Sequence, residues 1–170
     1  QALYTPSDDL RLLFIADYSE IDEVCCASGP TANNFQASGI PGKFGSDSLF
    51  SSPLFNATII KAEDFHDRKT ALSYLPQSTM EDSGLSAEIT WDINDKLTLT
   101  SLSAYRDFSS FDNIDADFAS VNLIGKINDA TQNSFSQELR LNYSDDNLNV
   151  IGGIYYFAQE IKALGTTTME

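Results

Sequence analysis

The residue types best suited to chemistry are few in this sequence: one histidine, two cysteines and several carboxylate clusters. His66 lies in Glu63-Asp64-Phe65-His66-Asp67, and imidazole beside carboxylates suits transition-metal ions. If the segment is helical, Glu63 and Asp67 share a face while His66 sits next to Asp67 in sequence, so a few solvated polar side chains are expected rather than a metal site. Asp112-Asn113-Ile114-Asp115-Ala116-Asp117 gathers the oxygen ligands calcium favours, yet it lacks the glycine and terminal glutamate of an EF-hand loop. A solvated loop is expected there.

Cys25 and Cys26 are adjacent, too few for a disulfide framework and wrongly spaced for zinc. A disulfide between them, partners elsewhere in a longer chain, or two free thiols are all open. No G-x-S-x-G, H-E-x-x-H or phosphate-cradling glycine loop occurs, and one histidine leaves no second imidazole for acid–base work. No catalytic residue, no cofactor, no resident metal and hence no enzyme activity are expected.

The chain carries 25 Asp plus Glu against 10 Lys plus Arg, a formal charge of −15. That charge repels phosphate backbones, so nucleic acid is not an expected partner. The acidic stretches end apolar runs, as solvated turns do. No apolar run approaches the ~20 residues of a membrane-spanning helix. Membrane-spanning strands expose only alternate residues to lipid, and the mean hydropathy of −0.21 is compatible with them. The first residue is Gln1 and no secretory leader pattern follows, so a removed leader or a missing beginning is expected.

Positioning elements announce themselves by period-two alternation, which sends successive side chains to opposite faces of a strand. Leu85, Ala87, Ile89, Trp91 and Ile93 alternate with Ser86, Glu88, Thr90 and Asp92. Phe135, Leu139, Leu141 and Tyr143, interrupted by Gln137, alternate with Ser136, Glu138, Arg140 and Asn142. Leu10 to Ser19 and Leu148 to Ala158 read as strands too, the latter with a mixed second face holding Ile151 and Phe157. In Leu97 to Phe111, Leu97 and Leu99 fall out of phase with Leu102 and Ala104, which a bulge or a change of surroundings would explain.

Connections alternate in length. Thr5 to Asp9, Asn94-Asp95 and Asp145-Asp146 have turn composition, whereas 22–83 and 113–131 are long. Counted in order, every tight turn falls on one side of the sheet and every long loop on the other. Lys61 to Leu75 is expected to form a short helix stopped by Pro76.

Three stretches resemble the barrel of TonB-dependent receptors. They are Trp91 to Ser101 followed by Ala104-Tyr105-Arg106, then Phe135-Ser136-Gln137-Glu138-Leu139-Arg140-Leu141, then Gly152-Gly153-Ile154-Tyr155-Tyr156-Phe157. Tyr4 to Leu10 resembles a turn on the periplasmic side. The resemblance implies an all-β fold: an antiparallel meander belonging to a transmembrane barrel of about 22 strands. A long, partly helical outer loop would rise from it. On this reading 1–170 is a fragment of the barrel domain without the plug, resident in the bacterial outer membrane.

Further implications are TonB-energised uptake of a ferric siderophore, cobalamin or an oligosaccharide. The partners would be outer-membrane lipid, the remaining barrel and plug, and TonB through the missing N-terminal part. Recognition residues would come from the outer loops, with Phe44, Phe65, His66, Asp115 and Asp117 as candidates. Trp91, Tyr105, Tyr143, Tyr155 and Tyr156 would suit an interfacial aromatic girdle. The rival expectation is a soluble all-β ligand-binding sandwich whose apolar faces meet each other.

Overall fold

The computed structural model describes residues 1–28, 57–58, 60 and 62–169. It is one six-stranded sheet in the order β1-β2-β3-β4-β5-β6, an antiparallel meander that does not close. The strands are β1 (Ala2–Ser7), β2 (Leu10–Glu23), β3 (Gln77–Asn94), β4 (Leu97–Asp115), β5 (Ile124–Asp145) and β6 (Leu148–Met169).

Turn composition sets the hairpins. Asp8-Asp9, Asp95-Lys96 and Asp146-Asn147 close β1–β2, β3–β4 and β5–β6, the last two one residue later than expected. The Asn94 carboxamide accepts the Lys96 amide at 3.0 Å, an Asx turn that substitutes for ladder pairing. Neighbouring hairpins are tied at this end by Asp92 N–H to Asp9 C=O at 2.8 Å and Ser144 N–H to Lys96 C=O at 2.9 Å.

Three expectations are corrected. β4 runs on to Asp115 and β5 begins at Ile124, so the second connection is 116–123 rather than 113–131, and β3 begins at Gln77, so the first is 24–76 rather than 22–83. Thr5 to Ser7 belongs to β1 rather than to a turn, and only Asp8-Asp9 turns. Pro6 has no N–H to give the ladder, and the pairing of β1 with β2 shifts register between Tyr4 and Ser7, where it sits. Within Lys61 to Leu75 the helical part is only a 3-10 helix, Ala62–Asp67, and no α-helix occurs among the described residues. Arg68 follows in the left-handed region (φ 56°), which ends the helical run well before Pro76.

The chain forms two compact units. The first contains Gln1–Ile21, Met80–Ser110 and Ala130–Ala163; the second contains Asp22–Thr79, Phe111–Asp129 and Leu164–Glu170. In the first, cross-strand partners define the two faces. Arg106 of β4 reaches both Asp82 of β3 and Asp17 of β2, and Arg11 faces Glu88, so these side chains share one face. Glu138 and Arg140 pair along β5 at 3.0 Å. Leu85, Ile89, Trp91, Leu139 and Leu141 have the opposite parity and are exposed. Tyr156 of β6 meets Phe135 of β5 with ring centroids 6.4 Å apart, which places it on that apolar face.

Gln137, the polar exception in that stripe, is satisfied locally. Its amide nitrogen donates to Ser101 Oγ at 3.0 Å and its oxygen accepts from Ser103. These two serines interrupt the apolar face of β4 after Leu97 and Leu99, while Leu102 and Ala104 fall on the opposite face with Arg106.

Candidate functional site

Asp17, Asp82 and Arg106 form the principal charged cluster of the polar face. Arg106 Nη1 donates to Asp82 at 2.6 Å and Nη2 to Asp17 at 3.0 Å. Asp17 and Arg106 lie on β2 and β4, so the guanidinium must cross β3 to reach its second partner. Gly84 permits this: a Cβ there would stand 2.7 Å from Asp17 Oδ1 and 2.9 Å from Arg106 Nη2. Beside the cluster is a hollow of about 330 Å³ lined by Ser86, Ser134 and Ser136 as well as Asp17 and Arg106. Two carboxylates on one guanidinium leave a local charge of −1, so the cluster does not favour an anion. The sequence marked Arg106 only as part of a family-like stretch; a glycine inside a strand is the signal for a close approach.

A second depression, of about 460 Å³, lies on the apolar face. Phe14, Leu85, Tyr105 and Phe135 border it, with the smaller Ala16, Ala87 and Ser103 also lining it.

The second unit is held by Asp115 and Asp117. Asp115, at the end of β4, is fully buried. Its Oδ2 accepts from the Ser73 amide and from Ser73 Oγ at 2.8 Å, and its Oδ1 accepts from the Phe118 amide at 3.3 Å. Asp117 accepts from the amides of Ala119 (2.9 Å), Leu123 (3.0 Å) and Ile124 (2.7 Å). Phe118, which donates to Asp115, has φ 52°, in the left-handed region. Tyr74 Oη donates to Ile114 C=O at 2.7 Å, and Ser78 Oγ to Asp112 at 2.7 Å. Burial together with the negative charges of Asp115 and Asp117 pushes the Tyr74 phenol above the ordinary tyrosine value.

These oxygens face hydrogen-bond donors rather than one another, which is a loop-folding arrangement and not a cation cage. Among the described residues no group of three or more metal-ligating side chains comes together.

Of the other candidates, His66 is exposed within the 3-10 helix. Phe65 lies in the same helix; Phe44 falls outside the described residues, as do Phe35, Phe50 and Phe55. Cys25 and Cys26 are joined to each other. Trp91, Tyr105 and Tyr143 share the parity of the apolar face of their strands and Tyr156 lies on the same face, while Tyr155 points the other way.

No family model matches the chain, and searches of curated proteins and of solved structures likewise found no match.

Proposed function

We propose that this chain supplies wall and outer loops to an outer-membrane receptor of the TonB-dependent kind, which takes up a scarce nutrient with energy delivered through TonB. The observation that carries the reading is β6: all 22 residues of an edge strand are exposed. Soluble proteins blunt their edges with short strands, charges or proline, because a long bare edge templates aggregation. β1 fits that description, with six residues and Pro6. β6 does not: Ile151, Ile154, Tyr155, Tyr156 and Phe157 stand open on it, and its charges, Glu160 and Lys162, come late. Closing a sheet into a barrel removes such an edge altogether.

Three further features agree. Over 82–91 of β3 and 135–143 of β5 the charged side chains and the apolar stripe take opposite faces, as a wall between an aqueous lumen and lipid requires. In the meander all three tight turns lie at one end of the strands, and the connections 24–76 and 116–123 lie at the other. β3 to β6 have 18 to 22 residues, whereas a bilayer needs only ~9–11 per tilted strand; the surplus would stand in water and carry the loops. Nutrient classes for this reading are a ferric siderophore, cobalamin or an oligosaccharide, met by the loops before entering past the plug.

In the rival reading, a soluble sandwich, a second layer would cover Leu85, Ile89, Trp91, Leu139 and Leu141. Refolding the chain without detergent separates the two. The barrel reading expects aggregation in water and recovery of strand structure only in micelles or bilayers. A detergent-free monomer with native strand content would overturn it.

A further inference from the structure

We infer that the hollow beside Arg106 on the polar face is a subsite for an uncharged, hydroxyl-rich ligand, a neutral oligosaccharide. This rests on the uptake reading, which makes that face the lumen, and deepens it by choosing among its nutrient classes.

The hollow, of about 330 Å³, reaches across β3, β4 and β5 over small residues: Gly84, Ser86, Ala104, Ser134 and Ser136. Among the described residues, the hydroxyls of Ser86, Ser134 and Ser136 have no hydrogen-bond partner in the protein. The serines of the opposite face behave differently, because Ser101 and Ser103 both bond Gln137. A face against hydrocarbon must satisfy its polar groups internally, whereas open hydroxyls suit a face that meets water or solute.

A serine hydroxyl both donates and accepts, as a sugar hydroxyl does. On the rim, Asp17 adds acceptor oxygens and Arg106 adds N–H donors, and their mutual bond at 3.0 Å, with Asp82 on the other side, already holds them in place. Groups fixed beforehand lose little freedom when a ligand arrives. Of the three nutrient classes, an anionic ferric complex is repelled by the residual negative charge of this cluster, and a cobalamin offers few hydroxyls.

β6 extends the subsite. Gly153 lies against Arg140, and Asn133 hydrogen-bonds Glu160. That antiparallel register sets Phe157 opposite Ser136 and Tyr155 opposite Glu138. Both rings are exposed, and they share the parity of the polar face. A sugar ring has an apolar C–H face and a hydroxylated edge, so an aromatic ring beside a row of hydroxyls matches both. With strands ~4.8 Å apart, the stretch from β3 to β6 is roughly 14 Å wide, which suits a short oligosaccharide better than one ring.

Titration calorimetry tests this on the full-length protein, in micelles of a detergent without a sugar headgroup. Maltotriose, cellotriose, xylotriose and mannotriose are the neutral probes, and trigalacturonate is the anionic one. At least one neutral trisaccharide should bind, and trigalacturonate should bind about tenfold more weakly or not at all. Phe157→Ala, which removes the ring, and Ser136→Leu, which fills the hollow, should each weaken binding about tenfold. Ile89→Ala, on the opposite face, should leave it unchanged. Circular dichroism checks the strands of each variant; if Ser136→Leu loses them, Phe157→Ala decides, since it only trims an exposed side chain. Unchanged affinity in either folded variant, or trigalacturonate binding as well as the neutral probes, would overturn the subsite. The two readings fail separately: a detergent-free monomer defeats the uptake reading, whereas a micellar protein with intact strands that binds no neutral trisaccharide defeats the subsite alone.

Discussion

At the level of single residues, what decides a substitution is whether the group in its way can move. At Gly84 the obstacles to a Cβ are the ends of Asp17 and Arg106. The guanidinium is half-exposed and can swing aside, keeping Asp82 while losing Asp17. Exposed pairs contribute little, so Gly84→Ala should cost no more than about 1 kcal/mol in denaturant unfolding. A loss well above that would mean the guanidinium is fixed. Tyr74 offers a pH test, because its raised phenol titrates above an ordinary tyrosine. A raised folded value means stability that is full below the unfolded tyrosine range and is lost as pH rises through the folded one. Phenolate absorbance should show a late-titrating tyrosine that Tyr74→Phe removes, and alkaline loosening of 111–129 should follow its titration. None of this was legible beforehand: Asp115 and Asp117 read as loop acids, because burial and N–H partners depend on which distant segments fold together.

Elements were more legible, and their limits show why. Period-two alternation marked the parts of β2 to β6 where one face is apolar and the other polar. It faded over Gln77 to Gly84, Asp112 to Asp115, Ile124 to Asn133 and Lys162 to Met169, although the strands run through all of these. Alternation reports a difference between two environments and vanishes where both faces meet the same one. β1 escaped notice because six residues around Pro6 look like a turn. The β5–β6 hairpin gives a paired test. A Cβ on Gly153 would stand 2.5 Å from the Leu139 carbonyl oxygen, part of a backbone that cannot swing aside, whereas a Cβ on Gly152 meets nothing within 4 Å. Gly153→Ala should therefore destabilise by roughly 1–3 kcal/mol, as overpacking does. Gly152→Ala should be neutral or slightly stabilising, since alanine restricts the unfolded chain. Equal effects in chemical denaturation would refute this account of the hairpin.

For the whole molecule, the test is which face meets lipid. If Leu139 faces the bilayer, Leu139→Arg should cost ~2–4 kcal/mol in unfolding from lipid vesicles, while Arg140→Leu on the other face should cost far less. Similar costs would contradict the proposed sidedness. A lysine at Ile154, on the bare edge, should slow aggregation in water, because charge discourages edge-to-edge pairing; turbidity after dilution from denaturant checks it. The length of β4 and β5, 19 and 22 residues, carries one more consequence. Side chains repeat every two residues, so the upper part of this hairpin tolerates shortening only by even steps. Removing two facing residues from each strand would lower the loop by one pleat and leave each remaining side chain on its own face. Removing a single residue would exchange inside for outside all the way to the strand end, so insertions and deletions here obey parity rather than size.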